Sequence, residues 1–167
     1  MTAARPLPGD FGVTRMAGDV GKAIRFGEWL NGDGWADVEH AVLYVDDGLL
    51  IEAEPGGARL APWDKYGDAI TWSTERFAMT PTQRFDVVTI GREFEHVPYS
   101  FADYAAIAAH RLHLPGSRLL RGYVASTKHL ICSQLVDAAY ALAGVHLFDD
   151  GRWPGYVTPS ELAGLLK

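Results

Sequence analysis

The chain has 167 residues, 48% hydrophobic and 22% charged, which fits one globular domain spanning 1–167 and excludes a disordered or fibrous chain. With 15 basic and 21 acidic residues the net charge is −6, which argues against nucleic acid or an anionic membrane surface as a partner. The one cysteine, Cys132, excludes an internal disulfide and a cysteine-rich zinc site.

The first ten residues lack the apolar stretch of a secretory leader, and no apolar run approaches the ~20 residues that cross a bilayer. Asp10 to Arg15 predicts a short strand behind Pro8-Gly9. From Val20 to Leu30, apolar residues at Val20, Ala23, Ile24, Phe26 and Leu30 follow a helical spacing, which Asn31-Gly32-Asp33-Gly34 ends. Val38 to Val45 and Leu49 to Glu54 are two β-rich runs around Asp46-Asp47-Gly48, the pattern of a hairpin, and Pro55-Gly56-Gly57 closes the second. Further strands are expected at Ala69–Thr74 and Phe85–Ile90. The period then changes. Ser100 to Leu112 is an alanine-rich helix with Ser100 as N-cap, stopped by Pro115-Gly116. Ile131 to Ala143 is a second helix with an apolar face of Leu135, Val136, Ala139, Leu142 and Ala143, and Gly144 follows it. Thr158, Pro159 and Glu161 occupy the N-cap, N1 and N3 positions of a last short helix. The class is α+β, one antiparallel sheet with helices packed on it.

Cys132 falls at the start of a predicted helix, where the macrodipole and free N–H groups favour thiolate over thiol and can stabilise an oxyanion. A nucleophilic thiol needs a base held by a third polar group. Of six histidines, His40 stands out because it lies within a β run, sharing one strand face with Val42 and Tyr44. If Val45 pairs near Leu49, residue 42 lies opposite 52 and residue 40 opposite 54, so Glu52 and Glu54 both reach the His40 face. His129, three residues before Cys132, is a second-choice base. His110 and His113 have helical metal-pair spacing without a third ligand and read as a solvated face. His96 and His146 read as surface, and no metal or cofactor is expected.

The segment His40-Ala41-Val42-Leu43-Tyr44-Val45-Asp46-Asp47-Gly48-Leu49-Leu50-Ile51-Glu52-Ala53 resembles the histidine block of NlpC-type papain-like cysteine peptidases. Cys132-Ser133-Gln134-Leu135-Val136 resembles their cysteine helix start. The histidine hairpin precedes the cysteine by about ninety residues, an order similar to the circularly permuted branch, with its YiiX-like proteins and lecithin retinol acyltransferase relatives. Pro8-Gly9-Asp10, Pro98-Tyr99-Ser100-Phe101 and Thr158-Pro159-Ser160-Glu161-Leu162 add to the resemblance, which runs from residue 8 to about 165.

The resemblance implies a permuted papain-like fold with Cys132 as nucleophile, His40 as general base and Glu52, rather than Glu54, as third member. Tyr44, Tyr99 and Ser133 are candidates for substrate binding or for orienting the site. Two positions depart from the family pattern: Val42 stands where glycine is common, and Ile131 where an aromatic residue commonly precedes the cysteine. The implied activity is hydrolysis of an amide bond in a peptide or peptidoglycan stem-peptide fragment. The alternatives are a lipid acyltransferase or thioesterase of the same fold, or a structural part of a bacteriophage tail or other wall-contacting assembly, with other proteins of that assembly as partners. Without a leader, the expected setting is cytoplasmic or virion-associated.

Overall fold

In the computed structural model of the chain, the residues described are 5–15, 38–98, 131–150 and 157–167. The helices expected at Val20–Leu30 and Ser100–Leu112, and the candidates Tyr99, His110, His113 and His129, lie outside them.

Five antiparallel strands form one sheet: β1 (Phe11–Thr14), β2 (His40–Asp46), β3 (Leu49–Glu54), β4 (Gly57–Pro62) and β5 (Ile70–Trp72). Their spatial order is β4-β3-β2-β1-β5. The β2–β3 hairpin turns at Asp47 and Gly48, both with positive φ (49° and 75°), the geometry that an Asp-Gly pair adopts most readily. Its register places Val42 opposite Glu52, Leu43 opposite Ile51 and Tyr44 opposite Leu50, as the expected pairing requires. Near the turn the register shifts and Asp46 meets Leu49.

Strand β4 has no counterpart among the predicted elements. It begins with Gly57 and ends with Pro62, both poor strand formers that an edge position tolerates. The 96–97 segment shields part of its outer edge: Ala58 N–H donates to the Val97 carbonyl (2.8 Å) and His96 N–H to the Ala58 carbonyl (2.7 Å).

Three helices are described: α1 (Pro81–Glu93), α2 (Cys132–Leu142) and α3 (Pro159–Gly164). The strand expected at Phe85–Ile90 is the middle of α1. Its β-branched run is overridden by a strong start signal, in which Thr80 accepts from Gln83 N–H, Gln83 accepts from Thr80 N–H, and Pro81 sits in the first turn. Thr158, Pro159 and Glu161 open α3 in the same way, as the sequence indicated. Phe85 stays exposed while Val87, Val88 and Gly91 turn inward, a helical rather than alternating pattern. Gly91 permits the close approach of α1 to the sheet, because a Cβ there would stand 2.5 Å from Leu43 Cδ2.

The sheet divides the apolar residues by strand alternation. Ala41, Leu43, Val45, Ile51 and Ala53 enter the main core with residues of α1, α2 and α3, among them Val87, Leu135, Tyr140 and Leu162. Val42 and Leu50 join Ala61 and Ile70 in a second cluster, flanked by Tyr66 and Trp72. Among the described residues, no helix is long and apolar enough to cross a membrane.

Candidate active site

His40 is the first residue of β2 and Glu52 lies in the middle of β3; both are fully buried. A buried imidazole or carboxylate is costly unless it is paired. Here each supplies the other's need, with His40 Nε2 3.2 Å from Glu52 Oε2. The pairing is diagonal, since Glu52 stands opposite Val42 in the ladder.

Glu52 gathers three more donors. Arg59, its cross-strand partner on β4, donates from Nε to Oε1 at 3.3 Å. Lys65 donates to the same oxygen, and Tyr66 Oη donates to Oε2 at 2.5 Å. Lys65 and Tyr66 come from the turn between β4 and β5, and the Tyr66 ring lies 5.7 Å from the imidazole. Burial is the largest single influence on the Glu52 carboxyl and pushes it up. The hydrogen bonds from His40, Lys65 and Tyr66, with the His40 charge, outweigh burial and hold it down to about 2.

The third candidate, Cys132, comes from the helix layer. It is the first residue of α2, which packs against β2 and β3, and it is almost completely buried. The residue before it, Ile131, has no side-chain oxygen to offer the first-turn N–H groups, while Ile131 N–H donates to Gln134 Oε1 at 3.0 Å. The Cys132 thiol is near enough to the His40 ring to raise its proton affinity. Nε2 faces Glu52, while Nδ1 is buried without a hydrogen-bond partner among the described residues. Burial, again the largest influence, pulls the imidazole down. Cys132 and Glu52 together outweigh it, and His40 is pushed up to about 9. Such a ring holds its proton at neutral pH when a thiolate and a carboxylate flank it.

The remaining candidates separate. Glu54 shares the network, accepting from Arg59, from Lys65 (3.1 Å) and from Tyr66 Oη (3.3 Å). Ser133 is buried and donates from Oγ to the Val157 carbonyl at 2.7 Å, tying the start of α2 to the segment leading into α3. Tyr44 lies edge-on to Trp63 and Trp72, with its hydroxyl 3.5 Å from an Arg5 nitrogen. Among the described residues, the tyrosine against His40 is Tyr66. Sequence reasoning missed Arg59, Lys65 and Tyr66 because it missed β4: once β4 is paired with β3, Arg59 falls opposite Glu52.

His40, Glu52 and Glu54 bring three metal-ligand-type atoms within 4.8 Å of one another. Arg59 and Lys65 already neutralise the two carboxylates, so a divalent cation would have to displace both. The cluster is an ion-pair network by the chemistry of its donors. Neither a protein-family model nor a curated protein matches the chain.

Proposed function

We propose that the protein is a cysteine hydrolase of amide bonds with Cys132, His40 and Glu52 as its triad, on a permuted papain-like fold. The observation that carries this reading is the buried His40–Glu52 pair, whose second ring nitrogen has no partner among the described residues, with Cys132 opening the helix that packs on the same two strands. A general base for a thiol needs one ring nitrogen held by an orienting carboxylate and the other left for the thiol. The order of parts, with the histidine hairpin ahead of the cysteine helix on one antiparallel sheet, supports the permuted fold.

The proposed mechanism follows from these positions. His40 takes the Cys132 proton at Nδ1, giving a thiolate–imidazolium pair. The thiolate attacks the substrate carbonyl, and N–H groups in the first turn of α2 stabilise the oxyanion. The imidazolium then protonates the departing amine as the C–N bond breaks, leaving a thioester. His40 next deprotonates a water molecule that attacks the thioester; the acid leaves and the thiol is restored. Glu52 fixes the tautomer with the proton on Nε2 and stabilises the positive ring. The proposed substrate is a peptide amide, with the stem peptide of cell-wall peptidoglycan as the class that the sequence resemblance implies.

The test is hydrolysis of peptidoglycan fragments by the full chain and by Cys132→Ala and His40→Ala. Each variant is expected to lose at least about 10²-fold in rate. Unchanged turnover in either one overturns the triad.

A further inference from the structure

We propose that Tyr66, together with Lys65, sets the proton affinity of His40 by competing with it for the Glu52 carboxylate. This deepens the reading above and rests on it for what His40 does. Tyr66 Oη donates at 2.5 Å to Oε2, the same oxygen that lies 3.2 Å from His40 Nε2. Lys65 occupies the other oxygen, Oε1, while its ammonium stands 5.0 Å over the Tyr66 ring. Among the described residues, Cys132 from α2 and Glu52 from β3 act on the imidazole directly, and Glu54 from β3, Arg59 from β4, and Lys65 and Tyr66 from the turn before β5 share the network around Glu52.

Each donor on a carboxylate lowers its affinity for a further proton and spreads its charge. A carboxylate with charge concentrated on Oε2 holds the imidazolium more firmly than one that shares Oε2 with a phenol. Tyr66 therefore tempers His40: it loosens the ring's hold on its proton, so that the ring can return a proton to a leaving amine. The phenol does not surrender its own proton in exchange, because burial first, then the hydrogen bond to Glu52 and the negative charge of Glu52 and Glu54, push it well above the ordinary tyrosine range. Tyr66 and Lys65 touch neither the thiol nor the reacting carbonyl in this scheme, so both are positioning residues.

The experiment is histidine-ring NMR on the full chain from pH 5 to pH 11, with the His40 signal assigned by its loss in His40→Gln. Tyr66→Phe keeps the ring beside His40 and removes only the hydroxyl. The expected result is an upward shift of the His40 midpoint by about half a pH unit or more. Lys65→Met removes a cation from the same carboxylate and shifts the midpoint in the same direction; it serves as the test if Tyr66→Phe does not fold. A midpoint that stays put or falls overturns the proposal, since a tyrosine that merely packs leaves it unmoved. The two readings fail separately. Unaltered hydrolysis in Cys132→Ala removes the proposed function but not a shifted midpoint, whereas an unshifted midpoint removes the tuning role and leaves the triad intact.

Discussion

Glu52 is in register with Val42, yet its carboxylate meets His40, two residues nearer the start of β2, at 3.2 Å. The diagonal contact works because strand neighbours on one face lie within reach of a long side chain. It places the acid on Nε2 and leaves Nδ1 without a partner among the described residues.

Replacing Glu52 with glutamine keeps the shape and removes the charge. The amide cannot hold the imidazolium, and it leaves Arg59 and Lys65 without their shared buried partner. We expect kcat on an amide substrate to fall by about 10²-fold or more, with a smaller change in KM. Steady-state kinetics on Glu52→Gln checks this, and an unaltered kcat removes Glu52 from the triad.

Folding stability should depend on pH from both members of the pair. His40 is raised from 6.5 to about 9 in the folded chain, so its stabilising contribution is complete below pH 6.5 and disappears as pH rises through about 9. Glu52 is lowered from 4.5 to about 2, so its contribution is complete above pH 4.5 and disappears as pH falls through about 2. Urea unfolding across pH should show a plateau between about 4.5 and 6.5. The alkaline decline should flatten in His40→Gln.

The approach of α1 to the sheet at Gly91 leaves little room for a side chain. The nearest atom to an added Cβ is the tip of Leu43, with Val45 Cγ1 and Ile51 Cγ2 at 3.6 and 3.7 Å. Alanine can be accommodated by a shift of the Leu43 tip and gains helix propensity. Valine adds two further methyl groups against this wall and should cost about 2 kcal/mol. Urea midpoints of Gly91→Ala and Gly91→Val measure the difference.

Ser133 offers a separate check on how α2 is anchored. Its hydroxyl is buried and donates to the Val157 carbonyl, so Ser133→Ala leaves that acceptor without this donor. We expect a loss of about 1–2 kcal/mol in unfolding free energy. A neutral effect would show that α2 is held by its apolar face alone.

Much of the fold is local enough to be legible in the residues. The Asp47-Gly48 turn, the alternation around it and the register opposite Glu52 follow from positive-φ preferences and period-two patterning. The start of α3 follows from its cap, and the end of α2 from Gly144, whose φ is 74°. The same cap chemistry at Thr80 and Gln83 was present in the sequence, but the β-branched residues after it masked the signal.

The sequence by itself determined which groups are chemically apt: a thiol at a helix start, an imidazole on a strand face, and carboxylates across a hairpin. Tertiary structure alone decided which of them meet. Cys132 lies about ninety residues from His40, and no local propensity acts over that distance. Packing of α2 on β2 and β3 brings the helix start that carries the thiol to the strands that carry His40 and Glu52. Pairing of the inconspicuous strand β4 brings Arg59 opposite Glu52, and the turn beyond it adds Lys65 and Tyr66, so the buried His40–Glu52 pair sits in a network of opposite charges that only the folded chain assembles.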